Sequence, residues 1–245
     1  MNDFYVIPNN KDVVFNNLIL PLKDYSIGFD VYYTVSEINS LSRKLNISVI
    51  INKFLHKEDI KNIINIINEL EIDNIKYIFV EDLGLVSLLG NDKVVVSQNH
   101  IINNYDSINY FKSLGYSNIL VNNDLTINEL KEIISKTSSN LFMYFISKNN
   151  LMYSKRRLLT AFSNHKLIIK EEKCGTCIFN KRIFAGNKYM SELSSVNKIV
   201  NLSNMDEFET KTILKYMDKV NLSDYIEIDD YFLDNVIPYK VGDIK

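Results

Sequence analysis

The sequence predicts an α/β fold of the (β/α)-barrel type, and three observations lead there. Short runs of β-branched and aromatic residues alternate with longer segments of helical period, the signature of a parallel sheet with crossover helices. Eight such runs occur along a chain of 245 residues, just below the ~250 usual for a barrel of eight βα units. Nearly every run ends in polar residues, as expected where a barrel gathers its functional groups at the carboxyl ends of its strands. A TIM-like barrel is therefore expected, complete or short of a full ring. An open doubly wound sheet is the alternative.

In chain order the strand candidates are FYVI at 4–7, SIGFDV at 26–31, ISVII at 47–51, YIFV at 77–80, KVVV at 93–96, NILV at 118–121, LFMYFI at 141–146 and KIVNL at 198–202. Between them, apolar residues recur at spacings of three and four: Val35, Ile38, Leu41 and Leu45, then Ile60, Ile63, Ile64, Ile67 and Leu70, then Leu125, Leu130, Ile133 and Ile134. Thr34 with Glu37, and Thr126 with Glu129, have the spacing of a capping box and mark two helix starts. From 164 to 196 the rhythm breaks. KLIIK and TCIFN read there as two strands around EEKCG, a β-hairpin inserted after the seventh strand that could serve as a lid or a plug. Gly, Pro and Ser never cluster enough to mark a linker, so residues 1–245 read as one barrel-like domain.

Composition narrows the function. With 28 basic and 30 acidic residues the net charge is −2, so no whole-protein field favours nucleic acid. The first residues, MNDFYVIPNNKD, lack the basic and apolar regions of a secretory signal, and no uncharged apolar run approaches the ~20 residues that span a bilayer. A cytoplasmic location without membrane contact is expected. The two cysteines, Cys174 and Cys177, cannot build a disulfide framework and suit a reducing compartment. Thirty-two asparagines beside two alanines suggest A/T-rich coding, so asparagine carries little information by itself.

Candidate site residues follow the strand candidates directly: Asn52 and Lys53, Glu81 and Asp82, Ser97 and Gln98, Asn122 and Asp124, then Ser147 with Tyr153, Arg156 and Arg157, and Ser203. Helix capping alone accounts for polar residues at many such places. The Arg pair is less easily explained in that way, because lysine outnumbers arginine 24 to 4 in this chain. Guanidinium presents a planar fork that matches a carboxylate or phosphate, which ammonium cannot copy. A surface ion-pair bridge is the competing explanation. No G-x-S-x-G elbow or H-E-x-x-H motif accompanies His56, His100 or His165, and glycines stand singly.

Three segments carry a resemblance. KYIFVEDLGLVSLL at 76–89 contains Val80, Glu81, Asp82, Leu83 and Gly84 as a V-x-D-L-G turn. The stretch 94–130 holds Ser97, Gln98 and Asn103 in an S/T-Q-x-x-x-x-N pattern. MYSKRRLLT at 152–160 is similar to a Y-S-x-R-x-L-L-S/T signature. Over roughly residues 45–200 the chain resembles the collagenase-like peptidases of unassigned catalytic type, peptidase family U32. That resemblance implies a barrel-like domain and a hydrolase acting on a peptide or other carboxylate-bearing ligand. Glu81 or Asp82 would then act as acid or base, and Gln98, Asn103, Tyr153, Arg156 and Arg157 would bind the ligand. Related branches resemble proteins of oxygen-independent tRNA or quinone hydroxylation, which hold an iron–sulfur cluster on four cysteines. Here only one C-x-x-C pair exists, so a cluster or other metal is not expected. The alternative is then a non-catalytic, accessory barrel that pairs with a longer homologous subunit. The family's Arg-Glu turn is replaced by Asn123 and Asp124.

Overall fold

Runs such as VVV at 94–96 are apolar on successive residues, which suits a parallel sheet covered on both faces. In the computed structural model, whose described residues are 4–90, 92–98, 102–154 and 167–234, these runs become strands. In chain order they are β1 (Phe4–Ile7), β2 (Asn17–Pro21), β3 (Asn46–Ile51), β4 (Ile75–Val80), β5 (Val94–Val96), β6 (Asn118–Leu120), β7 (Asn140–Ser147), β8 (Asn150–Ser154), β9 (Leu167–Glu172), β10 (Gly175–Asn180), β11 (Ile183–Ala185), β12 (Asn197–Asn201) and β13 (Ile228–Asp229). β1 to β7 lie side by side in order, and β12 pairs in parallel with both β1 and β7. That double pairing closes an eight-stranded parallel barrel, as the sequence predicts.

One expected strand is misplaced. Residues 26–31 form no strand, and the second barrel strand is β2. All five residues of β2 are buried, and its register with β3 runs unbroken from Asn17–Asn46 to Pro21–Ile50. The SIGFDV segment instead crosses the mouth of the barrel. Gly28 adopts φ +87 there, outside the extended region, so the run cannot continue a ladder.

Among the described residues six α-helices surround the barrel: α1 (Val35–Ser42), α2 (Lys57–Asn68), α3 (Leu83–Leu89), α4 (Tyr105–Ser113), α5 (Ile127–Lys136) and α6 (Glu207–Tyr216). Thr34 and Thr126 form the expected capping boxes with Glu37 and Glu129, and Asp206 forms a third with Glu209. The apolar stripes face the strands, with Ile38, Ile63, Ile67, Leu130 and Ile133 buried against their outer surface.

Alternation along each strand sends the other set of side chains inward. Tyr5, Ile7, Ile19, Ile50, Phe79, Val95, Leu120, Phe142 and Ile199 fill the barrel axis, with Tyr77 and Tyr144 packed against them. At the amino ends of the strands this core is closed by asparagines. Asn197 donates to the Asn140 side-chain oxygen at 2.7 Å, and Asn140 donates to the Asn118 oxygen at 2.9 Å and the Tyr77 hydroxyl at 3.3 Å. Asn118 in turn donates to the Asp92 carbonyl at 2.5 Å, and on the other side Asn46 donates to the Asn17 oxygen at 3.1 Å. Composition alone gave these residues no meaning. Each lies at the first position of its strand or just inside it, where an amide satisfies the polar backbone ends of its neighbours.

The expected hairpin is present, since β9 and β10 pair antiparallel from Gly175–Glu172 to Asn180–Leu167. The insertion is larger than the 164–196 interval, because β8 joins as a third strand on the other side of β10. The chain therefore leaves the barrel directly after β7. It returns through β11, which pairs antiparallel with the carboxyl end of β7.

Replacing Asn140 with Ala should remove two donated and one accepted side-chain hydrogen bond from the belt. A loss of about 1–3 kcal/mol in urea unfolding is expected, since its partners are left unsatisfied inside the protein.

Candidate functional site

The three-stranded sheet β8-β10-β9 packs across the carboxyl ends of the strands, against the segment between β2 and α1. Ile27 packs with buried Cys177 and Phe179, and with Tyr153, Ile168 and Cys174 at the edge of that cluster. The approach at Gly28 is so close that a Cβ there would lie 2.8 Å from Phe179 Cζ and 3.2 Å from Cys177 Sγ. Polar contacts complete the seal. Glu172 Oε1 accepts from the Gly28 N–H at 2.9 Å and the Tyr32 hydroxyl at 2.6 Å. Lys170 pairs with Asp30, whose other oxygen accepts from the Asn204 N–H at 2.7 Å. Phe54 stacks on Tyr153 with ring centroids 4.5 Å apart and planes at 17°. Asn52 reads both backbone groups of Ile27, accepting at 2.9 Å and donating at 3.1 Å. The insertion therefore sits as a lid over the barrel mouth. Beside the lid, a cleft of about 880 Å³ runs between the β2–α1 segment, the β3–α2 segment and the hairpin turn, lined by Tyr32, Lys53, Phe54, His56, Glu172 and Cys174 among others.

Beneath the lid, Glu81 follows β4 and carries on the inward series of Tyr77 and Phe79. Burial pushes its carboxyl up from the usual 4.5 to about 7. Desolvation is the cause, and no described side chain hydrogen-bonds the carboxyl group. Tyr144, two residues beyond Phe142 on the inward side of β7, has its phenol pushed up by burial and then by the Glu81 charge. It remains a neutral hydroxyl donor at any physiological pH. Glu81 and Tyr144 both keep partial accessibility at this depth. Tyr153 looks into the same region; burial raises its phenol to about 12, and its hydroxyl donates to the Cys174 carbonyl at 3.4 Å. Burial also raises both thiols, Cys177 to about 12, so they are protonated at neutral pH.

The other expected residues divide. Asp82 caps α3, its carboxylate accepting from the Leu85 N–H at 3.0 Å. Gln98 reaches back from the end of β5 and donates its amide to the Glu81 carbonyl oxygen. Asn103 lies exposed after β5, accepting from Asn122 at 2.9 Å. Arg156 and Arg157, like His100 and His165, lie outside the described residues. Among the described residues no group of three or more His, Cys, Asp or Glu could hold a metal ion. Glu81, Gln98 and Tyr153 thus share the lidded end of the barrel. Tyr32, Glu172 and Tyr144 were not foreseen. The last had a signal in the i, i+2 spacing from Phe142, whereas the pairing of Glu172 with Gly28 joins positions 144 apart and leaves no local trace.

A carboxyl that is protonated more readily in the folded chain makes folding weaker as pH rises. For Glu81 this loss should develop between pH 4.5 and about 7 and go no further above. Glu81→Gln should therefore match the parent near pH 4.5 and exceed it above pH 7 by up to about 3 kcal/mol, measured by urea unfolding at both pH values.

The described residues contain no helix long and apolar enough to cross a membrane. A comparison with curated proteins finds none that matches. Among solved structures, one described as that of the U32 peptidase Mk0906 is similar, with 17% identity and a TM-score of 0.48 over 60% of this chain and 69% of that one. The sequence profile of peptidase family U32 matches residues 35–227, a span that takes in β3 to β12, the lid and Glu81. The chain belongs to peptidase family U32.

Proposed function

We propose that the protein is a hydrolase that acts on a peptide or another carboxylate-bearing ligand in the lidded recess, with Glu81 as its general base. One observation carries this reading. Glu81 is an enclosed carboxyl without a hydrogen-bonding partner among the described residues, its pKa brought to about 7 by desolvation. A structural carboxylate is normally paired or exposed, whereas a base matched to neutral pH is worth about 10²–10⁴ in rate. The lid supports the same reading, because excluding bulk water strengthens every polar contact inside. Arg156 and Arg157 follow β8 directly in sequence and are the proposed partners of the ligand carboxylate. Fork geometry makes Arg→Lys at either position a loss of binding and not of charge.

The test uses the purified chain with gelatin and a set of free dipeptides, reading amine release. As base, Glu81 must be ionised, so the rate should rise through a pKa of about 7 and level off above it. Glu81→Gln should lower the plateau at least about 100-fold and abolish the rise. Hydrolysis that is unchanged in Glu81→Gln would remove the proposal. Absence of hydrolysis in the parent at every pH would instead favour an accessory barrel acting with a longer partner.

A further inference from the structure

The carboxyl ends of β4 and β5 place a hydroxyl beside the Glu81 carboxyl. Val80 and Val96 are the last register partners of the two strands. The Ser97 N–H donates to the Val80 carbonyl at 3.0 Å, so the ladder extends one residue further. Glu81 and Ser97 are therefore neighbours on strands about 4.8 Å apart. Each stands two residues beyond an inward side chain, Phe79 and Val95 respectively, and so both point into the barrel. Gln98 pins the arrangement by donating to the Glu81 carbonyl oxygen. Ser97 is only 4% exposed, and its hydroxyl makes no hydrogen bond to a described side chain. Yet it is not among the sealed, partnerless polar atoms, which include Ser48 and Ser203. Its oxygen thus keeps some accessible surface at the end of the barrel that holds Glu81.

We propose that Ser97 is the nucleophile of this recess and Glu81 the base that serves it. The proposal rests on the hydrolase reading above and gives it a covalent course. Ser97 Oγ attacks the ligand's carbonyl carbon while its proton passes to the Glu81 carboxylate. The neutral Tyr144 hydroxyl, close enough to feel the Glu81 charge, is a candidate donor to the oxygen that gains negative charge. Collapse breaks the C–N bond, and the proton held by Glu81 leaves with the amine. Water then attacks the acyl-serine, giving a proton to Glu81, and releases the acid with Ser97 restored. Protons and electron pairs balance without a metal or redox partner.

The test is covalent labelling of the full chain with a biotinylated fluorophosphonate. Here the P–F bond breaks, a P–O bond forms at Ser97, fluoride leaves, and Glu81 takes the proton. Peptide mapping by mass spectrometry should place a single adduct on Ser97. Its rate should rise with pH through about 7, fall at least about 100-fold in Glu81→Gln, and vanish in Ser97→Ala. Circular dichroism melting checks that both variants fold. Ser97→Cys provides a second readout, because it should transfer reactivity at this position from fluorophosphonate to iodoacetamide. An adduct on another residue, no adduct in the parent, or full amide hydrolysis by folded Ser97→Ala overturns the proposal. In that last case, loss of hydrolysis in Glu81→Gln would show Glu81 activating water directly. The serine course would then fail while the hydrolase reading stood.

Discussion

Closure of the parallel ladder by β12 onto β1 and β7 is the constraint from which the other features follow. Once the ring is shut, each strand must offer every second side chain to a common axis. That axis has room for a few layers, so the chemistry of each layer is set by where it lies along the strands. Aromatic and branched residues take the middle, amides the amino end, and Glu81, Ser97 and Tyr144 the carboxyl end. Burying a large apolar side chain contributes about 1.5–3 kcal/mol. The nine apolar residues along the axis therefore outweigh the cost of keeping one carboxyl poorly solvated. Glu81 can be held near neutrality only because the rest of the interior is committed to packing.

The lid depends on the same closure. The backbone of β7 pairs with β12 from Phe142 to Ile146, and at its carboxyl end Ile146 and Ser147 pair with β11 as well. Beyond that double pairing the chain leaves the barrel, so that β8, β9 and β10 can fold over the mouth. Their docking surface is the segment after β2. Gly28 is central to it, since only a residue without a side chain tolerates both φ +87 and the approach of Phe179 and Cys177. The buried Cys177 thus serves packing, and its partner in the C-x-x-C spacing, Cys174, lies at the turn beside the outer cleft.

Local signals wrote most of the barrel into the sequence. Seven of the eight expected runs form barrel strands, and both expected capping boxes form, because apolar periodicity and caps act over a few residues. SIGFDV misled because its apolar residues are buried for a different reason. Ile27 packs against the insertion and Phe29 against the barrel axis, and neither enters a ladder. NLILP at 17–21, a run with Pro as its fifth residue, is absent from the expected strands, and Pro at the last position of a barrel strand costs only a bond the ladder no longer needs. At the site, Glu81 and Ser97 were legible as polar residues after uninterrupted apolar runs. Asp82, beside Glu81 in sequence, proved to be a helix cap, a distinction that only alternation resolves. The latch through Glu172 and Tyr32 depends on tertiary contacts that no window of sequence contains.

The asparagine belt has a mechanical consequence. Amides join β12, β7 and β6 at their amino ends, and packed rings fill the axis above them. Close-packed interiors transmit strain, so a change that loosens one of these amides should be felt by the aromatic layer above it.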